Sequence, residues 1–389
     1  MKIAALFAAW IMMAGMLLSG ASAEGTEAVY SLENLFTSRD LTQEADLTEA
    51  ERYTLQSGEE LQITSAGVYV LTGTASDATV YVEAGKEDNV QLVLDGLNVV
   101  NADFPVIYVK SGNKVFITVS ADSSLSVTGT FRADGSTNTD GVIFSKSDLV
   151  LGGTAALTIS STNNGIVSKD DLKVTGGTWN INAASKALEA NDSIRIADGT
   201  LNLVAGTDGL HAENSDDASL GYVYIAAGTL TIQAGDDGIH GTSVVQIDGG
   251  TLSISAAEGI EGTYIQLNGG TVSIQASDDG INAARKSSAY SPTVVINGGD
   301  ISVTMASGDT DGIDSNGDII VNGGTVSVNG NSTFDCDGSA QYNGGVIITN
   351  GQQVASIPNS MFGGRGNQGG WGGQSNWGSQ GGWGGRGGR

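Results

Sequence analysis

Two short motifs alternate along the chain from about residue 140 to residue 345, and this repeat constrains the fold more than any other feature. One is Gly-Gly-Thr or a close relative, with copies roughly 22 residues apart. The other is an acidic or amide residue, a glycine and an aliphatic residue, with Lys186-Ala187-Leu188 as a degenerate copy: Asp140-Gly141-Val142, Asn164-Gly165-Ile166, Asp208-Gly209-Leu210, Asp237-Gly238-Ile239, Glu258-Gly259-Ile260, Asp279-Gly280-Ile281 and Asp311-Gly312-Ile313. Such a period is typical of a solenoid.

Short runs rich in β-branched residues lie between the motifs, for example residues 244–247 and 264–267. Runs of this length bounded by glycine and aspartate predict strands separated by turns. A repeat of roughly 22 residues with three such strands predicts an all-β fold, a single-stranded parallel β-helix. The aliphatic residues of the motif would then stack in one inner column: Ile166, Leu188, Leu210, Ile239, Ile260, Ile281 and Ile313.

Two steps of the repeat are longer than the others, and their extra residues fall at 213–221 and 284–292. Loops that leave one face of a solenoid commonly form its binding surface. We therefore predict that both insertions lie beside a ligand site.

The ends of the chain differ from the repeat in composition. Residues 1–23 combine a charged start, an apolar run and Ala21-Ser22-Ala23, which predicts a cleaved signal peptide and a secreted or cell-surface protein without membrane insertion. Residues 24–56 are predicted to form an N-terminal segment or cap, with the only plausible helix in 40–56. The β-helix would occupy 57–358, and residues 359–389 would form a disordered Gly/Trp-rich tail. We expect a monomer.

The chain carries 43 acidic and 17 basic side chains, for a net charge of -26. This charge argues against nucleic acid and anionic membranes as partners, and it favours cations. No P-loop, zinc signature, nucleophile elbow or dinucleotide fingerprint occurs.

Equivalent residues on neighbouring coils lie about 4.8 Å apart, so sequence columns become surface stripes. The residue before each motif glycine gives Asp140, Asn164, Lys186, Asp208, Asp237, Glu258, Asp279, Asp311 and Asp337. The position two places after the glycine gives Val167, Glu189, His211, His240, Glu261, Asn282, Asp314 and Ala340. Both histidines of the chain fall in this second column.

A row of carboxylates at this spacing repels itself unless cations neutralise it. Calcium takes six to eight oxygen ligands, so two neighbouring carboxylates can share one ion. We predict one calcium site near Asp208, Asp236, Asp237 and Glu189, and a second near Asp278, Asp279, Asp309, Asp311 and Asp314. The alternative is turn chemistry, in which each aspartate accepts local backbone N–H bonds and each glycine supplies a positive φ.

The second column also supplies polar groups that could contact a ligand, namely His211, His240, Glu261 and Asn282. For the histidines, solvation or hydrogen bonding to a ligand is favoured over transition-metal binding, because oxygen ligands dominate around them. A further column, Asn268, Asn297, Asn322 and Asn343, predicts a stacked amide ladder.

The alternation of Ile232-Gln233-Ala234-Gly235-Asp236-Asp237-Gly238-Ile239-His240 with Val245-Gln246-Ile247-Asp248-Gly249-Gly250-Thr251, together with the opening segment 67–74, resembles the secreted carbohydrate-binding β-helix family of clostridial plant-biomass degraders. The resemblance covers about residues 31–350. It implies a right-handed, pectate-lyase-like parallel β-helix, bound calcium, and binding of cellulose and polygalacturonate.

Three functions remain open. The first is a non-catalytic module that binds plant cell-wall polysaccharide, with calcium holding uronates and exposed aromatic rings stacking on neutral glucan; the candidate rings are Trp179, Tyr222, Tyr224, Tyr264 and Tyr290. The second is a calcium-dependent uronate lyase with Lys186, or else Lys169, as the base. The third is a surface adhesin in which calcium only stiffens the coil.

Overall fold

The structure, a computed structural model, describes residues 26–308 and 310–358. These residues form one short helix, Leu32–Leu35, and 34 strands. Four long strands turn a corner and belong to two faces each: Gly67–Ser76, Asn89–Asn101, Asp237–Ile247 and Glu258–Leu267. The predicted signal peptide, the Gly/Trp-rich tail and Asp309 lie outside the described residues.

The other strands fall on three faces. The first face contains Glu60–Ile63, Thr79–Glu83, Ile107–Ser111, Gly141–Ser145, Asn164–Ser168, Leu188–Ala190, Leu210–Ala212, Ile281–Ala283, Asp311–Ser315 and Ser332–Cys336. The second contains Glu51–Thr54, Lys114–Ala121, Asp148–Gly153, Asp171–Val174, Ser193–Ile196, Tyr222–Ile225, Thr293–Ile296, Asp318–Val321 and Ala340–Tyr342. The third contains Ser123–Val127, Ala156–Ser161, Thr178–Ala183, Thr200–Ala205, Thr229–Ala234, Thr251–Ala256, Thr271–Ala276, Asp300–Met305, Thr325–Asn329, Val346–Thr349 and Gln352–Val354.

Each strand pairs in parallel with the equivalent strand of the next coil, as in Leu188–Ala190 with Leu210–Ala212. The exception among these strands is the final hairpin of the third face, where Val346–Thr349 and Gln352–Val354 are antiparallel. The prediction of an all-β solenoid with mostly parallel strands is confirmed.

The predicted inner column is present on the first face. Pairing places Ile166 beside Leu188, Leu188 beside Leu210, and so on to Ile313, and every member is at most 1% exposed. Burying one such side chain contributes about 1.5–3 kcal/mol relative to exposure. In the earlier coil Ile143, and not Val142, joins this column, because Ile143 pairs with Ile166.

The glycines of the two motifs have different roles. The second glycine of Gly-Gly-Thr has a positive φ, for example 92° at Gly250 and 85° at Gly270, which side chains disfavour. The glycine after the acidic residue is not among the positive-φ residues. A Cβ on Gly238 would instead collide with Ile254 Cγ2 and lie 2.6 Å from the carbonyl oxygen of Gly259. The positive-φ explanation of these Asp-Gly pairs is therefore wrong.

The N-terminal segment is a strap along the second face. Tyr30 exchanges hydrogen bonds with Gln246 in a late coil, whereas Gln43 donates to the Thr175 carbonyl oxygen at 2.8 Å and accepts from Gly153 in earlier coils. The helix expected within 40–56 is absent: the helical turn lies earlier, at Leu32–Leu35, and Glu51–Thr54 is a strand.

The strap is fixed at its centre by a buried carboxylate. Asp40, whose side chain is 0% exposed, lies 3.0 Å from Lys114 Nζ and 3.1 Å from Lys173 Nζ. Burial opposes its ionisation, but the Thr37 backbone N–H and the two ammonium groups outweigh that cost and hold the pKa of Asp40 below its ordinary value. No helix of the described residues is long and apolar enough to cross a membrane.

The predicted amide ladder is confirmed. Asn343 donates to Asn322, Asn322 to Asn297, Asn297 to Asn268, and Asn268 to the Asp248 carboxylate, at 2.7–2.8 Å. Each amide bridges two coils, so the ladder ties the turns after the second face together.

Candidate functional site

The outward column of the first face runs through most of the solenoid, and we call it the ionisable column. Strand pairing places its members side by side in successive coils, in the order Val167, Glu189, His211, His240, Glu261, Asn282, Asp314 and Asp335. The predictions that Ala340 and Asp337 end the two stripes are wrong. Asp335 and Ser332 take those places, because Ser332–Cys336 pairs with Asp311–Ser315 and Phe334 replaces the usual aliphatic residue.

Aromatic residues precede the ionisable column on the same face. Tyr81, Tyr108 and Phe144 pair in successive coils before Val167, and neighbouring rings in this series lie 5.7–5.9 Å apart. Lys110 Nζ lies 4.9 Å from the Tyr81 ring centroid. This cluster was not predicted, although an aromatic residue directly after an aliphatic residue in each of the three strands was a usable signal.

The first ionisable coil is neutralised by lysine. Glu189 lies 2.8 Å from Lys169 Nζ and 3.8 Å from Lys186 Nζ, and it accepts a hydrogen bond from Asn164 at 2.8 Å. Both lysines considered as lyase bases thus face the same carboxylate.

Two aspartate–histidine pairs follow in the next coils. His211 Nδ1 lies 2.8 Å from Asp208 Oδ2, and His240 Nδ1 lies 2.9 Å from Asp237 Oδ2. The two imidazole rings stack, with centroids 4.6 Å apart and planes 16° from parallel. In each pair the aspartate precedes the motif glycine and the histidine is the second residue after it.

Glu261 continues the column with two cationic partners. Its Oε2 lies 2.8 Å from His240 Nδ1 and its Oε1 lies 2.6 Å from Lys286 Nζ. Burial disfavours the imidazolium, but Asp237 and Glu261 outweigh it and raise the pKa of His240 to about 9. Burial also opposes ionisation of Glu261, yet His240 and Lys286 lower its pKa to about 2. This part of the column is a network of ion pairs.

Acidic side chains are concentrated from the coil of Glu258 and Glu261 onward. Burial, the Glu261 charge and neighbouring acids raise the pKa of Glu258 to about 7, although Asn282 donates to it at 3.1 Å. The ligand atoms of Asp311, Asp314 and Asp335 lie within 4.8 Å of one another. Burial and repulsion from Asp279, Asp311 and Asp335 raise the pKa of Asp314 to about 7. We call Asp311, Asp314 and Asp335 the carboxylate cluster.

The predicted calcium ligands divide into different environments. Of the first set, Glu189 pairs with lysines, Asp208 and Asp237 pair with histidines, and Asp236 is exposed, so the four do not converge. Of the second set, Asp311 and Asp314 converge with Asp335, and the Asp279 carboxylate accepts from the Asp311 backbone N–H at 3.1 Å. Asp278 is exposed in the preceding turn.

Both insertions leave the solenoid beside the ionisable column. Glu213 of the first insertion lies 3.2 Å from His211 Nε2, and Lys286 of the second pairs with Glu261. The insertions also meet, because Ser287 Oγ donates to the Ala218 carbonyl oxygen. The first insertion walls a pocket of about 240 Å³ with Lys186, Glu189, Asn191, His211, Glu213 and Asp216.

Three of the aromatic candidates are not available for stacking on sugar. Trp179 is 1% exposed because it occupies an inner position of the third face between Leu157 and Leu201. Tyr222 and Tyr224 are 5% and 1% exposed beneath the strap, where Tyr30 stacks on Tyr222 at 4.3 Å. Those three predictions are wrong. Tyr264 and Tyr290 are half-buried and pack together at 6.0 Å.

A long solenoid with a row of ionisable side chains on one face is a scaffold for an extended ligand. A family model described as "Carbohydrate-binding domain-containing protein" matches residues 57–309 and 260–354. The chain belongs to this carbohydrate-binding domain-containing family.

Two relatives are also similar. A carbohydrate-binding domain-containing protein of Acetivibrio thermocellus is 35% identical over 132 residues, which are 33% of this chain and 46% of the relative. This chain therefore matches less than half of that protein's length. The solved gadolinium derivative of the polysaccharide lyase-like protein from C. thermocellum is 30% identical, with a TM-score of 0.49, and the match covers 57% of this chain and 96% of that one.

Proposed function

We propose that this protein is secreted and binds an acidic plant cell-wall polysaccharide, such as polygalacturonate, through calcium held on the first face, without catalysing a reaction. Membership of the carbohydrate-binding domain-containing family supports the ligand class. The observation that carries the calcium proposal is the convergence of Asp311, Asp314 and Asp335. We further propose the right-handed coil of roughly 22 residues found in pectate-lyase-like proteins.

The carboxylate cluster fits calcium by donor type and charge. Its ligand atoms are all carboxylate oxygens, which Ca²⁺ prefers. The raised pKa of Asp314 reflects burial and repulsion among the acids, and a divalent cation would relieve that repulsion. Asp279 would assist from the adjoining coil, since its carboxylate already accepts a hydrogen bond from the Asp311 backbone N–H.

Calcium also explains how an acidic protein could hold an acidic polymer. The chain has a net charge of -26, so direct contact with uronate groups would be repulsive. Three protein carboxylates leave part of a six-to-eight-ligand shell open to water or to a uronate carboxylate. The ion would thus join the two polyanions.

The test compares the wild type with Asp311→Asn/Asp314→Asn on immobilised polygalacturonate, with calcium and with EDTA. We expect calcium-dependent retention of the wild type and at least a tenfold loss in the double variant. At a calcium concentration 100 times its Kd, binding stabilises the fold by about 2.7 kcal/mol. Thermal unfolding should show this gain in the wild type and not in the variant.

Asp236→Asn/Asp278→Asn is the matched control, because it removes the same charge from exposed turns. It should retain calcium-dependent binding. Retention and unfolding temperature that chelation leaves unchanged would contradict the calcium proposal. Calcium-dependent stability without retention would favour the adhesin. Unsaturated uronate product that disappears in Lys186→Ala would favour the lyase. The pocket lined by Lys186 and His211 is the feature that supports this alternative.

A neutral polysaccharide such as cellulose would meet a different surface. The outward positions of three third-face strands are exposed and uncharged, and they pair in straight columns: Thr229, Thr231, Gln233, Thr251, Ser253, Ser255, Thr271, Ser273 and Gln275. Such side chains donate and accept hydrogen bonds, as sugar hydroxyls do.

We expect Ser253→Glu/Ser273→Glu to lower retention on cellulose several-fold and to leave retention on polygalacturonate unchanged, because it charges only this surface. Pull-down assays on cellulose and on polygalacturonate measure the retention of each variant. Equal retention of the variant and the wild type on cellulose would contradict the assignment of the third face.

A further inference from the structure

The most compact mixed cluster of nitrogen and oxygen ligands among the described residues lies at the centre of the ionisable column. The ligand atoms of Asp237, His240 and Glu261 lie within 4.8 Å of one another, and the residues are 7%, 8% and 5% exposed. We propose that these three residues form a binding site for a divalent transition-metal ion such as Zn²⁺. The proposal does not depend on the calcium proposed for the carboxylate cluster.

The contacts of His240 carry the proposal. Its Nδ1 lies 2.9 Å from Asp237 Oδ2 and 2.8 Å from Glu261 Oε2. One Nδ1–H can point at only one of these oxygens, so a proton satisfies the two carboxylates unequally. A metal ion that replaces this proton would be bound by all three atoms, with Zn–N and Zn–O bonds of about 2.0–2.2 Å.

The donor set separates this site from the carboxylate cluster. Imidazole suits zinc, copper, iron and nickel, whereas calcium selects oxygen. One imidazole with two carboxylates matches the pattern of three protein ligands that leaves a further position for water or substrate. The neighbouring coil does not repeat the triple, because His240 stands beside His211 where a carboxylate would be needed.

Surrounding groups already fix the three ligands. Lys286 Nζ lies 2.6 Å from the other oxygen of Glu261, and Asp208 Oδ1 accepts from the Asp237 backbone N–H at 3.2 Å. The His211 ring stacks on His240 and limits its rotation. Such outer contacts orient metal ligands and commonly change affinity by about 10–100-fold when removed.

The test uses untagged protein, stripped with EDTA, dialysed and then kept in excess calcium. Zn²⁺ is titrated calorimetrically and counted by mass spectrometry, and Co²⁺ serves as a spectroscopic probe. We expect one ion per chain and a Co²⁺ visible spectrum of nitrogen and oxygen ligation. The chain has only 2 histidines, so a nitrogen ligand is readily assigned. His240→Gln should abolish the site, and Glu261→Gln should weaken it by about 100-fold.

Glu213→Gln is the matched control for Glu261→Gln, because its exposed carboxylate contacts His211 and none of the three ligands, and it should keep one ion per chain. Asp311→Asn/Asp314→Asn should also bind Zn²⁺ normally, which separates this site from the calcium proposal. A wild type that shows no saturable Zn²⁺ binding in excess calcium would overturn the proposal. A Co²⁺ spectrum that is unchanged in His240→Gln would also overturn it and would mark an adventitious ion only. Circular dichroism checks that each variant keeps its strands.

Discussion

Asp40→Asn is expected to lower the free energy of unfolding by about 3–5 kcal/mol, the range for removing one partner of a buried ion pair. The carboxylate is fully buried, and Lys173 beside it is only 6% exposed, so the substitution leaves a buried ammonium without its counter-charge. Lys173 also donates to the Leu35 carbonyl oxygen at 2.9 Å, which ties the strap to the same lysine. Denaturant unfolding measures the loss.

The pH dependence has a definite sign. The pKa of Asp40 is lower in the folded than in the unfolded protein, so the folded state binds fewer protons there. Its contribution is complete above the ordinary carboxyl pKa and disappears as the pH falls through the folded value. The difference between wild type and Asp40→Asn should therefore shrink in acid. Glu49→Gln, which removes a charge from an exposed strap residue, should leave the free energy of unfolding close to that of the wild type. An equal loss in both variants would contradict the role of Asp40.

Gly238→Ala is expected to cost about 1–3 kcal/mol through overpacking. Its Cβ would collide with Ile254 Cγ2 on the third face and with the Gly259 carbonyl oxygen of the next coil. Gly112→Ala is the matched control, because its Cβ would have only ordinary contacts at 3.7 Å. A small and equal effect of both substitutions would show that space does not explain the motif glycine.

The degenerate copy Lys186-Ala187-Leu188 suggests a rescue. At the motif glycines from Gly165 to Gly312, the facing inner residue of the third face is isoleucine or valine, as with Ile232 for Gly209 and Ile254 for Gly238. In the coil of Ala187, the same inner column carries Leu203, which branches one carbon further out. We expect Ile254→Leu to recover part of the stability lost in Gly238→Ala. A double-mutant cycle with no coupling would reject this explanation.

Much of the architecture could be predicted from the repeat. Period, strand length and the inner column follow from local alternation and from glycine placement, and neighbouring coils repeat the same environment. The amide ladder was predictable for the same reason, since stacked coils bring equal residues to equal places. The strap was not, because Asp40 and Gln43 contact coils more than 70 positions away and no period marks them.

The candidate sites show where this reasoning stops. The sequence placed Asp208, Asp237, His211 and His240 in two adjoining columns, but not the pairing of each histidine with the aspartate three residues before it. It also gave no means of choosing Asp335 over Asp337, since the register of that coil depends on Phe334 filling the core.

A repeating parallel solenoid with acids and histidines on one face thus follows from local sequence, because every coil must bury the same side chains. Which of those charges are neutralised depends on contacts made in the folded chain. Lys286 reaches Glu261 from an insertion, whereas Trp179, Tyr222 and Tyr224 are buried by the core and the strap. Charge balance and exposure depend on residues distant in sequence, and the repeat carries no record of them.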